Sequence, residues 1–441
     1  MSASIRFLFF CIFSLLALPA ASHAETLYGA LTRAYESNPD IEAARAGLRA
    51  TDESIAIAKA GRRPNVAAEA RATYSDTNNT VSKTAQVSLT VKQALFDGFK
   101  TKNSILAANS RILAGRATLK STEMDVLIGG VQAYVDVLLN QQISSIRRQN
   151  LDFLAEQLNA SKARLNAGEG TRTDVAQAQA QLAAAQAQLT AARTNLRSSR
   201  AVYKQIVGLK PAKLKVPKIP TKFIPKNLNL ALGLSMQNHP ALASAKHFID
   251  ASEFDVNVAQ SALLPGVNLT GALTEADGGV TSAQIGARLT IPIYGGGANA
   301  AGVRQSKERL GEARIRLDSV RRQVEQIVID AWVSFNSSKA SIEAGNAEVR
   351  AARLALSGVI EERKVGQRTT LDVLNAQASV LSAREALAQS QRNTIVAAYN
   401  ILYTTGQLTA NGLNLNAKRY NPEAHFKQVE DKWFGLRTVT K

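Results

Sequence analysis

One cysteine and four histidines in 441 residues leave almost nothing from which to build a thiolate or imidazole metal site, a disulfide framework or a redox centre. Aromatic residues make up only 5% of the chain, so a core built on large rings is not expected. There is no Ser/His/Asp set, no phosphate-cradling glycine loop and no ligand cluster, so neither a catalytic site nor a cofactor nor a metal is expected. Beyond residue 24 no stretch reaches 18 consecutive apolar residues, which excludes a transmembrane helix. What remains is 45% hydrophobic, too much for a disordered chain. Long stretches are dominated by Ala, Gln, Leu and Arg, the composition of extended helices rather than compact globules.

Residues 1–24 read as a secretory signal. Arg6 precedes the apolar run Phe7 to Leu18, Pro19 follows, and Ser22-His23-Ala24 puts small residues at the positions a signal peptidase reads. About a dozen apolar residues are too few to cross a hydrocarbon core of ~30 Å as a helix. Cys11 lies inside that run rather than at the cut, which argues against a lipoprotein signal. A mature chain without a thiol suits an oxidising compartment. Basic residues outnumber acidic ones 53 to 35, a net charge of +18. On a secreted chain this excess reads as the solvated wall of a helical structure, and no nucleic-acid partner is expected.

The chain repeats itself. Ala30-Leu31 recurs as Ala231-Leu232, Pro39 as Pro240 and Pro64-Asn65-Val66 as Pro265-Gly266-Val267, all at an offset of 201. Further on the offset is 198: Ala133-Tyr134-Val135 answers to Ala331-Trp332-Val333, Gly168 to Gly366, Thr171 to Thr369 and Asp174-Val175 to Asp372-Val373. Matches in fixed order over so long a span are two copies of one large module, not short solenoid units. The division is therefore a first repeat over 25–209, a basic linker over 210–226 with four prolines and six lysines, a second repeat over 227–410, and a tail over 411–441. The linker cannot continue either helix and is expected to strap across the outside. The tail has no repeat partner, and its partial disorder is expected.

Within each copy the pattern predicts two helices, a β-hairpin, a very long helix and a second long helix. Helices over 26–37 and 40–62 are separated by Asn38-Pro39. The hairpins fall at about 65–96 and 266–294. Val87, Leu89 and Val91 alternate there with Ser88, Thr90 and Lys92, as do Ile285, Ala287, Leu289 and Ile291 with Gln284, Gly286, Arg288 and Thr290. Thr77-Asn78-Asn79 and Asp277-Gly278-Gly279 supply the turns. Long helices follow at about 98–165 and 171–207, and at about 297–363 and 369–407. Leu127, Val131, Tyr134 and Leu138, matched by Val320, Val324, Ile327 and Ala331, recur at intervals of 4, 3 and 4, a coiled-coil seam. Some 65 residues at 1.5 Å each give a rod of about 100 Å.

Four alternating strands after a signal peptide suggest an outer-membrane barrel. Four cannot close one, and open edges are not tolerated in lipid, so several protomers are expected to share it. Two would give eight strands with a filled interior; three give twelve and an open lumen, which suits a conduit. The fold expected is mainly α with a small β part. Long helical hairpins form a periplasmic barrel, and four strands per protomer join a shared 12-stranded outer-membrane barrel in a trimer.

That order, with the hairpin ending Leu95-Phe96-Asp97-Gly98, the exit Leu289-Thr290-Ile291-Pro292-Ile293-Tyr294-Gly295-Gly296, and the turn Gly-x-x-Thr-x-x-Asp-Val given twice, resembles the TolC family. The resemblance covers roughly residues 25–410. It implies a homotrimeric channel-tunnel in the outer membrane of a Gram-negative bacterium, an exit duct for drug efflux or type I protein secretion. Its partners would be outer-membrane lipid, a periplasmic adaptor (membrane fusion) protein and an inner-membrane transporter. The reading it competes with is a secreted coiled-coil scaffold or adhesin without a pore.

The two helix tips carry the candidate functional residues. In Gly168-Glu169-Gly170-Thr171-Arg172-Thr173-Asp174 and Gly366-Gln367-Arg368-Thr369-Thr370-Leu371-Asp372, a glycine ends one helix and a threonine caps the next. The aspartate three residues on completes a capping box, the reading favoured for Asp174. The resemblance implies a further role. The tips around Gly168, Thr171, Gly366 and Thr369 would receive the adaptor, and those of the second copy would line the tunnel's constriction together with Asp174. There Asp372 matches the first of two acidic ring positions, and Asn375 stands at the second. Arg368 matches a basic residue that tethers the closed tip, and Arg363 stands where the family has a tethering tyrosine.

Overall fold

The computed structural model describes residues 25–438; the predicted signal segment 1–24 lies outside them. The first copy comprises α1 (Leu27–Ser37), α2 (Pro39–Ala60), β1 (Asn65–Thr77), β2 (Thr80–Phe96), α3 (Lys100–Asn166) and α4 (Arg172–Val207). The second comprises α5 (Leu228–Asn238), α6 (Pro240–Ser261), β3 (Gly266–Ala276), β4 (Val280–Thr290), α7 (Ala298–Lys364) and α8 (Thr370–Thr404). A last helix, α9 (Pro422–Val429), has no counterpart. The offset falls from 201 at Asn65/Gly266 to 200 at Thr80/Val280 and 198 at Lys100/Ala298, so the hairpins absorb the three-residue difference.

Local chemistry sets the breaks. Asn38 closes α1, and its side-chain oxygen accepts from Asp40 N at 2.9 Å to open α2, with Pro39 in the first helical position where no amide is missed. His239 does the same for α6, Nδ1 accepting from Ala241 N at 3.3 Å, and burial followed by the nearby Lys120 charge lowers its pKa toward the neutral form that can accept. The hairpin turns need left-handed residues. Asn78 and Asn79 supply them in one copy and Gly278 and Gly279 in the other.

The four strands form one antiparallel sheet in the order β1-β2-β3-β4, with β1 and β4 as free edges. Directly opposed residues share a face. One face carries Val66 against Val91, Ala68 against Leu89 and Ala70 against Val87. It continues through Leu89 against Leu273, Gly271 against Ile285 and Val267 against Leu289. The other carries Asn65 against Lys92, Arg71 against Gln86, Ser88 against Thr274 and Asn268 against Arg288. The apolar face is uncovered: Val66, Val87, Leu89, Leu273, Ile285 and Leu289 are all exposed.

Below the sheet, α3 and α7 have 67 residues each, about 100 Å of helix at 1.5 Å per residue. The main core lies half-way along α3, and a smaller cluster holds Ala331 and Phe335 at the middle of α7. Leu127, Val131 and Tyr134 of α3 meet α1, the end of α4 (Tyr203, Val207) and the end of α8 (Tyr399, Leu402). The basic linker crosses this level on the outside. Glu25 and Leu214 form a parallel bridge, the Tyr134 hydroxyl lies 2.7 Å from the carbonyls of both Glu25 and Lys215, within reach of either acceptor, and Leu214, Phe223, Ile219 and Ile224 pack on the core.

Four expectations are corrected. The seam of α7 runs Val324, Val328, Ala331, Phe335 rather than through Ile327: both 327 and 328 are apolar, and the 4-3-4 register that seats Phe335 selects Val328. Strand β4 ends at Thr290 because Pro292 cannot donate to a ladder, so 291–294 leave the hairpin as extended chain. Helix α8 ends at Thr404, whose successor Thr405 leads into a left-handed Gly406. The tail is ordered to residue 438: Leu413 and Leu415 enter the main core, Phe426 packs on Ile55 and Ile112, and Val429 is buried.

Candidate functional site

The long helices turn back at two tips of the same construction. After α3, Gly168 takes φ +77°, Glu169 N donates to Arg164 O at 2.9 Å and Gly168 N to Leu165 O at 3.1 Å. After α7, Gly366 takes φ +80°, Gln367 N donates to Glu362 O at 3.0 Å and Gly366 N to Arg363 O at 3.1 Å. Both are Schellman turns that satisfy the last helical carbonyls. The next helix opens with a full capping box each time. Asp174 N donates to Thr171 Oγ1 at 3.1 Å while Thr171 N donates to Asp174 Oδ2 at 3.1 Å; the Thr369/Asp372 pair gives 3.2 and 2.9 Å. These donors hold both carboxyls below the usual range: the Thr171 hydroxyl leads for Asp174 and the Thr369 backbone amide for Asp372.

The tips are not equivalent. Asp174 lies within the reach of Thr370 and in the field of Arg363, so the first tip borders the second. Arg363 Nη1 donates to Gln157 Oε1 of α3 at 3.0 Å, joining the two hairpins. Arg368 folds back on its own turn, Nε donating to Glu362 Oε2 at 2.7 Å, and both side chains are half exposed. Asn375, one turn beyond Asp372, is exposed, and its amide has no hydrogen-bond partner among the described residues.

Above the tips α8 is laced to α3 by polar rungs. Tyr403 donates to Asp125 at 2.7 Å, Arg392 to Asp136 at 2.7 Å, Arg147 to Glu385 at 2.6 Å and Gln377 to Asn150 at 2.8 Å. The pairs join residues more than 200 positions apart, so no local pattern announces them. The one sequence signal is the spacing of Asp125, Asp136 and Arg147, eleven residues or three helical turns, which keeps them on one face of α3.

The other candidate surface is the sheet. Its two faces differ in polarity over the half nearer the helices, while Asp76, Lys83 and Glu275 interrupt the apolar face toward the turns; β1 and β4 are the open edges, and β2 and β4 lead on to α3 and α7. In the first copy that joint is braced: Asp97 Oδ2 accepts from Thr101 N at 2.8 Å, and Phe96 stacks edge-on to Phe99 at 5.3 Å. A side chain at Gly98 would meet Ser261 O at 2.9 Å. In the second copy the joint is Gly295-Gly296-Gly297.

A two-faced sheet on paired helical rods defines the subunit of an outer-membrane channel. The family model "Outer membrane efflux protein" matches residues 30–209 and 231–407, the two copies, and the chain belongs to that family. The outer membrane efflux protein BepC of Brucella suis biovar 1 (strain 1330) is 42% identical over 426 residues, covering 95% of this chain and 93% of BepC. The outer membrane protein TolC of Salmonella enteritidis is 28% identical over 422 residues, covering 91% and 86%. The Campylobacter jejuni CmeC outer membrane channel superposes with a TM-score of 0.78 at 17% identity, covering 92% of this chain and 89% of CmeC. It shares the fold.

Proposed function

We propose that three copies of this chain form a passive exit duct through the outer membrane and across the periplasm, for drug efflux or type I protein secretion. The observation that carries this reading is the sheet: four strands with an apolar face, a polar face and two unpaired edges. Lipid tolerates no free edge, so β4 of one protomer must pair with β1 of the next, and three protomers close twelve strands around a polar lumen. A soluble scaffold or adhesin would leave the apolar face in water. Exposed Ile315, Val333 and Leu354 on α7 are apolar surfaces for neighbouring protomers to cover.

At the far end, the tips built on Gly168, Thr171, Gly366 and Thr369 dock the helical hairpin of a periplasmic adaptor, which links the duct to an inner-membrane transporter. Asp372 rings the constriction, with Asn375 as a neutral second layer and Asp174 at its border. Arg363, bonded to Gln157, holds the second hairpin against α3; Arg368 presents its half-exposed guanidinium to the adjacent tip. Opening slides the α7–α8 pair away from α3 and breaks these links. Light scattering of the detergent-purified protein tests the assembly. A mass of three protomers is expected, and a stable monomer with full β content overturns the shared barrel.

A further inference from the structure

Past residue 407, where the family match ends, the chain climbs back toward the sheet. It leaves the main core at Leu413 and Leu415 and follows α1 and α2. Lys418 N donates to Glu36 at 3.0 Å, His425 Nδ1 meets Asp52 at 3.0 Å, Lys59 pairs with Asp431 at 2.7 Å and Arg63 donates to Lys432 O at 2.7 Å. Because α2 runs toward Asn65, where β1 begins, each contact lies nearer the sheet than the one before. The last sets the Arg63 guanidinium 4.7 Å over the Trp433 ring, two residues from the first strand.

What the tail delivers there is apolar and uncovered. Trp433 is 64% exposed, Phe434 90% exposed and Leu436 fully exposed, with Lys432 and Arg437 on either side. Phe96, the last residue of β2, is exposed at the same end of the sheet, where the chain passes into the helices. Tryptophan and phenylalanine between cations are the residues of a membrane–water boundary, where rings sit at headgroup depth and basic groups meet lipid phosphates.

We propose that Trp433–Arg437 is an interfacial anchor inserted into the periplasmic leaflet of the outer membrane, its partner the anionic phospholipid headgroup region. The tail is then a strut: fixed to α2 along its length, it fastens the helical part to the bilayer from outside the barrel. This inference rests on the barrel reading above, and the experiment separates the two.

The chain has two tryptophans, so Trp332→Phe leaves Trp433 as the sole reporter. The variant is reconstituted in vesicles of phosphatidylethanolamine and phosphatidylglycerol carrying phospholipid brominated at shallow or deep acyl positions. A second chain, Trp332→Phe/Trp433→Phe/Leu89→Trp, reports on the barrel face. Both tryptophans are expected to be quenched, Trp433 more by shallow than by deep bromine, and Trp433 is expected to resist aqueous iodide. If Leu89→Trp is quenched while Trp433 is open to iodide, the barrel stands and the anchor is wrong. If Trp433 is shielded from both quenchers, a protein surface covers it and the anchor is likewise wrong. If neither tryptophan is quenched by bromine, the barrel reading fails and takes the anchor with it.

Discussion

Arg363 at the end of α7 reaches Gln157 of α3 at 3.0 Å, a bond between two hairpins separated by 206 positions in sequence. Burial comes first in lowering the Arg363 pKa, and the like charge of Arg164 adds to it, so the guanidinium is held where only a matched acceptor makes it comfortable. Removing either partner leaves the other half-satisfied. Arg363→Ala and Gln157→Ala are each expected to cost about 1 kcal/mol in trimer stability. Each is also expected to raise single-channel conductance in the resting state. Conductance equal to the parent's would remove this bond from the closed state.

Gly366 and Gly168 occupy left-handed positions, and a side chain at either would meet nothing within 4 Å. Substitution therefore costs backbone strain and no clash. Gly366→Val is expected to lose about 1–2 kcal/mol and to weaken cross-linking to the adaptor, whereas Gly366→Asn, which tolerates this conformation, keeps both near parental. A valine variant that cross-links as well as the parent would take the tip out of the docking surface.

The cap seen at Asp372 and the ring role proposed for it have separable signatures. In the protomer its pKa is lowered by the Thr369 amide and hydroxyl, so the cap's contribution is present above the unfolded value of about 3.9 and is lost as pH falls through the depressed folded value. Hydrogen exchange over 366–376, corrected for intrinsic rates, should quicken only below about pH 4. Three copies around the axis would also attract cations. Asp372→Asn is expected to lower cation selectivity with trimer yield unchanged. If stability drops and selectivity does not move, the cap is its whole role.

The tail latch is sensitive to pH in the opposite sense. Burial raises the Asp52 pKa, against the opposing hydrogen bond and charge of His425. A raised value means that Asp52 favours the fold fully below its unfolded value and that this contribution is lost as pH rises through the folded one. His425→Ala removes the only side chain hydrogen-bonded to this buried carboxyl among the described residues. Its deficit, about 1–3 kcal/mol, is expected to grow from pH 4 to pH 8 and to appear as proteolysis within 411–438. Asp52→Asn in the same background should abolish the pH dependence.

Much of this architecture is legible in the residues, because the information is local or periodic. Asn38-Pro39, Gly168, Gly366 and the Thr-x-x-Asp boxes write helix ends directly, and alternation about Leu89 and Leu289 separates the sheet's faces. The duplication then lets one copy check the other. Three things escaped. Ile327 and Val328 are both apolar, so only the packed seam chooses between them. The rungs between α3 and α8 join residues over 200 positions apart, and pairing at that range leaves no pattern along the chain. The tail has no second copy, and its anchors, His425, Phe426 and Trp433, act one at a time on α2, α3 and the turn at Arg63 rather than with a helical period.

The central claim is that this chain closes a shared barrel around an aqueous lumen, and electrical recording tests it most directly. Purified protein is added to one side of a planar lipid bilayer under a salt gradient. The account predicts discrete, uniform conductance steps with cation-selective reversal potentials, and larger steps when Arg363→Ala replaces the parent. A trimer that inserts into the bilayer and passes no ionic current, in the parent and in Arg363→Ala alike, would contradict it.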